Sequence, residues 1–483
     1  MSIDLRSFIG GAWVTGAGAP LDSWNPSRPD ELIASGRQAT EDQVHDAVAA
    51  ARAAGAGWAR TPVAERGAVL LRAAVVLEDQ ADAWGSELAR EEGKTFPEGR
   101  GEVLRAAQVF RYQAAEAERE AGTVFHSPRA GEQILVTRKP LGVVSIVTPF
   151  NFPIAIPAWK IAPALVHGNT VVWKPASTVP LLALRLAEAL DQAGLPDGVL
   201  NLVLGSGALG DALVDHPEVD GLSFTGSTGV GRALAGRAAT RGVPVQAEMG
   251  GKNAAIVLAD ADLELALDQV LLGAFRSSGQ KCTATSRLIV EESIADAFLE
   301  RLAARVGALR LGNPLNDDVD LGPVITAQAC DSILYSVRQA IADGAHLLVG
   351  GPEADVPAAG HFVAPTVLEI AGEAPVWREE LFGPVLTVRR AADPAEAFAL
   401  ANDSEFGLSA ALFTQDLTLA LEGLETLDVG VLHVNSESAG ADPHVPFGGA
   451  KKSGYGPKEQ GQAARDFFTH TTTVYLQGGQ ARP

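Results

Sequence analysis

The chain reads as an α/β protein, and three observations predict that class. Between about residues 142 and 258, short β-rich runs alternate with helical segments, the pattern of a parallel sheet covered on both faces. Helix start and stop signals fall between those runs. At 483 residues the chain is also too long for one core, so two or three domains are expected.

The elements follow in order. Thr40-Glu41-Asp42-Gln43 has capping-box spacing, with Val44, Ala47, Val48 and Ala51 behind it at helical intervals. Gly55 is the expected stop of that helix. Strands are expected at Val143–Val147, Thr170–Trp173, Val199–Val203, Leu222–Phe224, Val243–Val245 and Ala255–Leu258. The helix Leu181–Gln192 is closed by Gly194 and Pro196. A further helix, Leu263–Phe275, leads into Arg276–Cys282, and αβ alternation continues to about residue 435. The tail Thr471–Leu476 is β-prone and detached from any helix, so it is expected to be an edge strand that needs a partner.

Composition limits the function. Apolar residues make up 47% and charged residues 20%, ordinary values for a globular protein. A formal charge of −21 disfavours nucleic acid and acidic membrane surfaces as partners. An anionic substrate would then need locally concentrated positive charge, although solubility alone is the plainer meaning of the acidity. Two cysteines exclude a disulfide framework and fit a reducing cytoplasm, the expected location. The nine histidines show no metal spacing, so no metal is expected. Met1–Arg6 lacks a basic region followed by an apolar run, and no apolar stretch approaches the ~18 residues of a membrane span.

The chemistry concentrates in a few segments. Cys282 follows Arg276-Ser277-Ser278-Gly279-Gln280-Lys281, a small and polar setting unlike an apolar core. Glu248 precedes it beside Gly250-Gly251. A thiol with a candidate base suggests covalent catalysis, while a small buried hydrophobe is the plainer alternative. The turn Gly226-Ser227-Thr228-Gly229-Val230-Gly231 joins a strand to a helix and can offer N–H groups to a phosphate. Its G-x-x-G-x-G spacing differs from the usual dinucleotide fingerprint, so it can equally be a plain turn. Lys174 ends a strand before Pro175, where it could meet a ribose or its phosphate or simply be solvated. Asn151, between Pro149 and Pro153, could donate to an oxyanion or satisfy its own turn. Glu379-Glu380 could bind sugar hydroxyls or remain solvated, and Cys330 lies in a helical stretch as expected core.

Taken in order, Thr148–Pro153, Trp173–Ala176, Phe224–Gly231, Glu248–Asn253, Gly279–Cys282, Glu380–Pro384 and Pro446–Gly449 resemble the aldehyde dehydrogenase superfamily over essentially the whole chain. The resemblance implies a Rossmann-like cofactor domain from 1–119 and 141–249 and an α/β catalytic domain from 250–450. It also implies a β oligomerisation arm from 120–140 and 465–483, with assembly as a homodimer or homotetramer. By the same resemblance Cys282 is the nucleophile, Asn151 and the Cys282 N–H hold the oxyanion, and Glu248 activates the hydrolytic water. Lys174 and Glu380 match residues that hold the two riboses, Ser227 a pyrophosphate contact and Phe382 a nicotinamide contact; Phe150, Gly207 and Gly226 complete the cofactor surface.

NAD-preferring members often carry a glutamate where this chain has Ser177. A serine does not repel a 2′-phosphate, so NADP is favoured over NAD. Arg276 stands where succinate-semialdehyde dehydrogenases use an arginine on the substrate carboxylate; the plainer alternative is a structural ion pair. Phe150–Leu165, Ala274–Arg287 and Asn435–Gly440 most resemble the α-ketoglutaric semialdehyde dehydrogenases, which oxidise 2,5-dioxopentanoate to 2-oxoglutarate. Ile154–Trp159 lacks the second arginine usual in the succinate-semialdehyde group. The alternatives are a succinate-semialdehyde or broad-specificity dehydrogenase, or a catalytically silent relative that kept the fold.

Overall fold

The computed structural model describes residues 2–119 and 121–479. It is α/β, built on two large sheets with two three-stranded sheets and a two-stranded one beside them. The first large sheet has eight strands. At its centre Val245–Glu248, Gly221–Thr225, Val143–Val147, Thr170–Lys174 and Leu200–Leu202 run parallel in that order. The strands Val143–Val147, Thr170–Lys174 and Gly221–Thr225 are buried along their whole length, as a sheet covered on both faces requires.

The second sheet has seven strands, with Asn253–Val257 between Thr285–Glu291 and Ser409–Phe413. Expected strand Ala255–Leu258 therefore opens this second sheet rather than extending the first. One of the three-stranded sheets joins the C-terminal strand Thr469–Gln477 to Glu132–Pro140, antiparallel from Thr469↔Pro140 to Gln477↔Glu132. Gly122–Phe125 pairs on the other side of Glu132–Pro140. The β-prone tail thus finds its partner. Positions 120 and 480–483 of the expected arm lie outside the described residues.

Among the expected boundaries that move, two have a clear physical reason. The helix capped by Thr40 keeps its capping box but runs through Gly55 to Arg60. A helix-interior glycine costs about 1 kcal/mol, and Trp58, buried with its indole N–H donating to Leu165 O at 2.9 Å, anchors the last turn regardless. Strand Val243–Val245 instead runs Val245–Glu248. Pro244 has no N–H to give a ladder, and this shift brings Glu248 to the carboxyl end of the strand. Helix Leu263–Phe275 forms as expected, capped by Asp262, whose side chain accepts from Glu264 and Leu265 N–H. Among the described residues, no helix is long and apolar enough to cross a membrane.

Candidate active site

The segment before Cys282 is strained and firmly held. Ser277 and Ser278 adopt left-handed φ of 55° and 52°, a cost of order 1–3 kcal/mol each for non-glycine residues. Glu98 accepts from the Ser277 N–H and hydroxyl at 2.8 and 3.0 Å, and the Ser278 hydroxyl donates to Gly322 O at 2.8 Å. Gly279, at φ 69°, passes so close to Gly383 that an added Cβ would stand 2.2 Å from its carbonyl oxygen. Asn253 Nδ2 donates to the Cys282 carbonyl at 2.7 Å and to the Ala284 carbonyl at 2.9 Å, which fixes the peptide of the cysteine itself.

Asn151 is buried, and its amide donates to Gln280 O at 2.8 Å, two residues before the thiol. It does not serve its own turn, and a second amide N–H remains after that bond. The Asn151 carbonyl accepts from Lys94 Nζ at 2.6 Å, and Lys94 pairs with Glu102 at 2.7 Å. Glu102 in turn accepts from Ile154 and Ala155 N–H, so helix Phe96–Glu116 supports the whole Asn151 loop.

Glu248 is buried, and its Oε2 accepts from Gly449 N–H at 2.8 Å. Burial pushes its carboxyl well above the usual range, and the nearby Glu459 pushes it further. Glu380, by contrast with exposed Glu379, folds onto the glycine pair: its Oε1 accepts from Gly251 N–H at 2.9 Å, and a Cβ on Gly250 would lie 2.0 Å from Oε2. Burial raises Glu380 to about 7. The Cys282 thiol, half-buried, is pushed up to about 12 by burial, then by the charges of Glu380, Glu248 and Glu459.

Several features fit a dinucleotide, as the resemblance implies. Lys174 is buried at its strand end and spends its ammonium on the adjacent Pro175 carbonyl at 3.0 Å; burial lowers it to about 8. A buried cation so weakly partnered suits a phosphate or ribose. Ser177 is half-buried in the following loop. Ser227 caps helix Thr228–Thr240 without spending its hydroxyl on the cap, and Gly207 opens helix Gly207–Asp215 with no neighbour within 4 Å of a built Cβ. Gly226 and Gly231 also serve packing, because a Cβ would strike the Phe224 ring at 2.6 and 2.9 Å. Phe382 holds a left-handed φ of 54°, an outlier for an aromatic residue, and meets Phe150 edge-on at 5.7 Å.

Cys282 and Arg276 line one cavity of about 360 Å³. Phe152, Ile156, Trp159 and Phe447 give it apolar walls. Arg276 is half-exposed, 3.5 Å from Glu98 and 3.6 Å from Glu437. Sequence reasoning missed the other charged residues of this wall: Lys281, Glu437, Glu98, Arg105 and the pair Lys94 and Glu102. Lys281 and Glu437 fall within Ala274–Arg287 and Asn435–Gly440, yet their juxtaposition across 156 positions exists only in the fold. Arg105 comes from helix Phe96–Glu116, so a second arginine reaches the cavity from an element other than the one where its absence was noted.

The chain is similar to known proteins over nearly its whole length. A family model described as "Aldehyde dehydrogenase family" matches residues 13–474. Alpha-ketoglutaric semialdehyde dehydrogenase of Bacillus subtilis is 40% identical over 97% of both chains. 2,5-Dioxopentanoate dehydrogenase of Saccharolobus solfataricus is 39% identical over 98% of this chain and 99% of its own. The crystal structure of betaine aldehyde dehydrogenase from Staphylococcus aureus in complex with NAD+ superposes with a TM-score of 0.95 at 33% identity, covering 99% of this chain and 96% of that one. With motif order, fold and whole-length similarity in accord, the chain belongs to the aldehyde dehydrogenase family.

Proposed function

We propose that the protein oxidises a carboxylate-bearing aldehyde to the acid with NADP or NAD, and that 2,5-dioxopentanoate, yielding 2-oxoglutarate, is its substrate. The observation that carries this reading is one cavity bearing both a thiol, Cys282, and a cation, Arg276. Similarity to two dehydrogenases named for this semialdehyde supports it.

Cys282, as thiolate, adds to the aldehyde carbon. The oxyanion then accepts from the second Asn151 N–H and the Cys282 backbone N–H; the bond from Asn151 to Gln280 O supports this role by tying the amide to the nucleophile segment. The chemistry a bound nicotinamide dinucleotide supplies is acceptance of the hydride. Glu248 serves the acyl thioester that oxidation leaves on Cys282: it takes a proton from water, and the thiolate departs as the acid forms. A carboxyl raised above its usual range by burial is a stronger base once it is ionised. Arg276 would pair with the substrate's own carboxylate.

For the cofactor, Lys174 and Ser177 would receive the adenosine ribose or its 2′-phosphate, and Ser227, Gly226 and Gly207 the pyrophosphate. Glu380, Phe382 and Phe150 would meet the nicotinamide end, with Glu380 leaving Gly251 for the ribose. Serine rather than glutamate at 177 favours NADP. Cofactor and catalytic domains divided near residue 250, and a homodimer or homotetramer built through the three-stranded sheet of the C-terminal strand, complete the reading. Arg105 on the cavity wall favours succinate semialdehyde as a second candidate substrate.

Initial rates on 2,5-dioxopentanoate, succinate semialdehyde, glutaraldehyde and propanal, each with NAD and NADP, test the reading. The keto-semialdehyde is expected to lead in kcat/KM by at least ~10-fold, about 1.4 kcal/mol, and Arg276→Leu to erase that lead. Propanal turned over equally well would leave a broad-specificity enzyme. Retained aldehyde oxidation in Cys282→Ala would overturn the covalent mechanism.

A further inference from the structure

Lys281 immediately precedes the nucleophile and lines the same cavity as Arg276. Its side chain is only 5% exposed, yet its two polar contacts are long: 3.3 Å to Leu272 O and 3.5 Å to Glu437 Oε2. An ammonium has three donors, so this buried cation is poorly satisfied, and burial lowers its pKa accordingly.

The two carboxylates facing these cations are held very differently. Glu98 is fixed, with Oε1 accepting from Ser277 at 2.8 and 3.0 Å and Oε2 from Thr95 at 2.8 and 3.0 Å. Glu437 gives one oxygen to each cation, Oε1 at 3.6 Å from Arg276 and Oε2 at 3.5 Å from Lys281. Its backbone is anchored separately, the Glu437 N–H donating to Gln269 Oε1 at 3.0 Å. The side chain can therefore swing away while its loop stays in place. A single carboxylate lying between a guanidinium and an ammonium is also the arrangement a substrate carboxylate would adopt.

We propose that Lys281 and Arg276 together form the substrate-carboxylate site, and that Glu437 occupies it as a resident counter-ion until the substrate's carboxylate replaces it. The proposal rests on the reading of a carboxylate-bearing aldehyde given above. Two neighbouring cations partly out of water are costly when unpaired; Glu437 offsets that cost in the empty cavity. Exchange of one carboxylate for another keeps the local charge constant, whereas an uncharged aldehyde leaves Glu437 where it is. Selectivity then comes from the exchange rather than from shape.

Glutarate, an unreactive dicarboxylate, can read the site without turnover, through protection of Cys282 from iodoacetamide. Lys281→Met is expected to weaken that protection about tenfold, the scale of one lost charged contact, with Lys281→Arg restoring most of it. Glu437→Gln removes the competitor and is expected to strengthen protection several-fold. The ratio of kcat/KM for 2,5-dioxopentanoate over propanal should move in the same directions. Unchanged protection in Lys281→Met, or weaker protection in Glu437→Gln, would overturn the proposal. Should Lys281→Met not fold, Glu437→Gln decides alone: stronger protection supports the exchange, and equal or weaker protection overturns it. A wild-type protein that glutarate does not protect and that prefers propanal would fail the substrate reading itself. Wild-type protection that neither variant alters would fail only the roles of Lys281 and Glu437.

Discussion

The Cys282 thiol is held up first by burial and then by three carboxylates, Glu380, Glu248 and Glu459. Glu380 is the largest of those three influences, so its charge should be felt at the nucleophile. Glu380→Gln is expected to shift the pH profile of iodoacetamide labelling to lower pH; an unmoved profile would remove Glu380 from the thiol's electrostatics. Glu248 is raised well above the ordinary carboxylate value, mainly by burial. Its basic form therefore accumulates only as pH climbs through that raised value, and thioester hydrolysis should rise over the same range. Glu248→Gln should abolish that limb and slow turnover by about 10²–10⁴, with acyl-enzyme accumulating in a mass spectrum. Turnover within a few-fold of wild type would deny Glu248 the role of base. At Ser177, a glutamate would set a carboxylate against a 2′-phosphate. Ser177→Glu should depress kcat/KM with NADP by at least ~10-fold relative to NAD, and an unchanged ratio would show that the 2′-position is met elsewhere.

Helix Phe96–Glu116 matters most among the elements, and it bears no motif. Its capping box at Thr95 and Glu98 is the kind of signal sequence can carry; its role in the site is not, because Glu102 and Lys94 act on residues about 50 positions away. The strand end at Lys174, the turn at Gly226 and the Cys282 segment were legible because strand-to-loop chemistry is local, whereas the strand end at Glu248 was not. The partners of Arg276 and Lys281 were not, since a contact between residues 281 and 437 has no periodicity to read. The buried Lys94–Glu102 pair under the Asn151 loop makes a stability prediction. Truncating Glu102 would leave Lys94 buried and strip the Ile154 and Ala155 N–H groups of their acceptor, a loss of about 3–5 kcal/mol. Glu92, in the same cluster, is pushed up to about 8 by burial, against an ordinary value of 4.5. Between those values the folded protein keeps a proton that the unfolded chain releases. The contribution of Glu92 to stability is thus full below about pH 4.5 and declines as pH rises toward 8. Glu92→Gln stays neutral throughout, so its Tm should gain on wild type as pH rises from about 4.5 to about 8. A Tm difference independent of pH would show that Glu92 is not buried as an acid.

Across the whole molecule the sequence foretold the parallel sheet well, because alternating strands and helices leave a strong periodic record. It also marked the tail as a strand without a partner, and Glu132–Pro140 is that partner. The two shifted boundaries have different causes: the burial of Trp58 carries the helix past Gly55, and Pro244, with no N–H to give, delays the strand to Val245. The three-stranded sheet of the C-terminal strand carries the final prediction. Val124, Phe125, Tyr475 and Leu476 are 71%, 52%, 59% and 46% exposed, large apolar side chains on a sheet too small to bury them itself. Helix Leu417–Thr426 adds Leu417, Leu421 and Leu424 on one exposed face. Patches of this kind mark interfaces, and an exposed three-stranded edge invites pairing with another chain. Ending the chain at Phe468 removes the strand Thr469–Gln477 while sparing both large sheets. Light scattering should then report a monomer where the full-length protein gives a dimer or tetramer. Tyr475→Asp with Leu476→Asp should weaken the assembly without deleting any backbone. A full-length monomer, or an assembly indifferent to both changes, would assign those apolar side chains some other role.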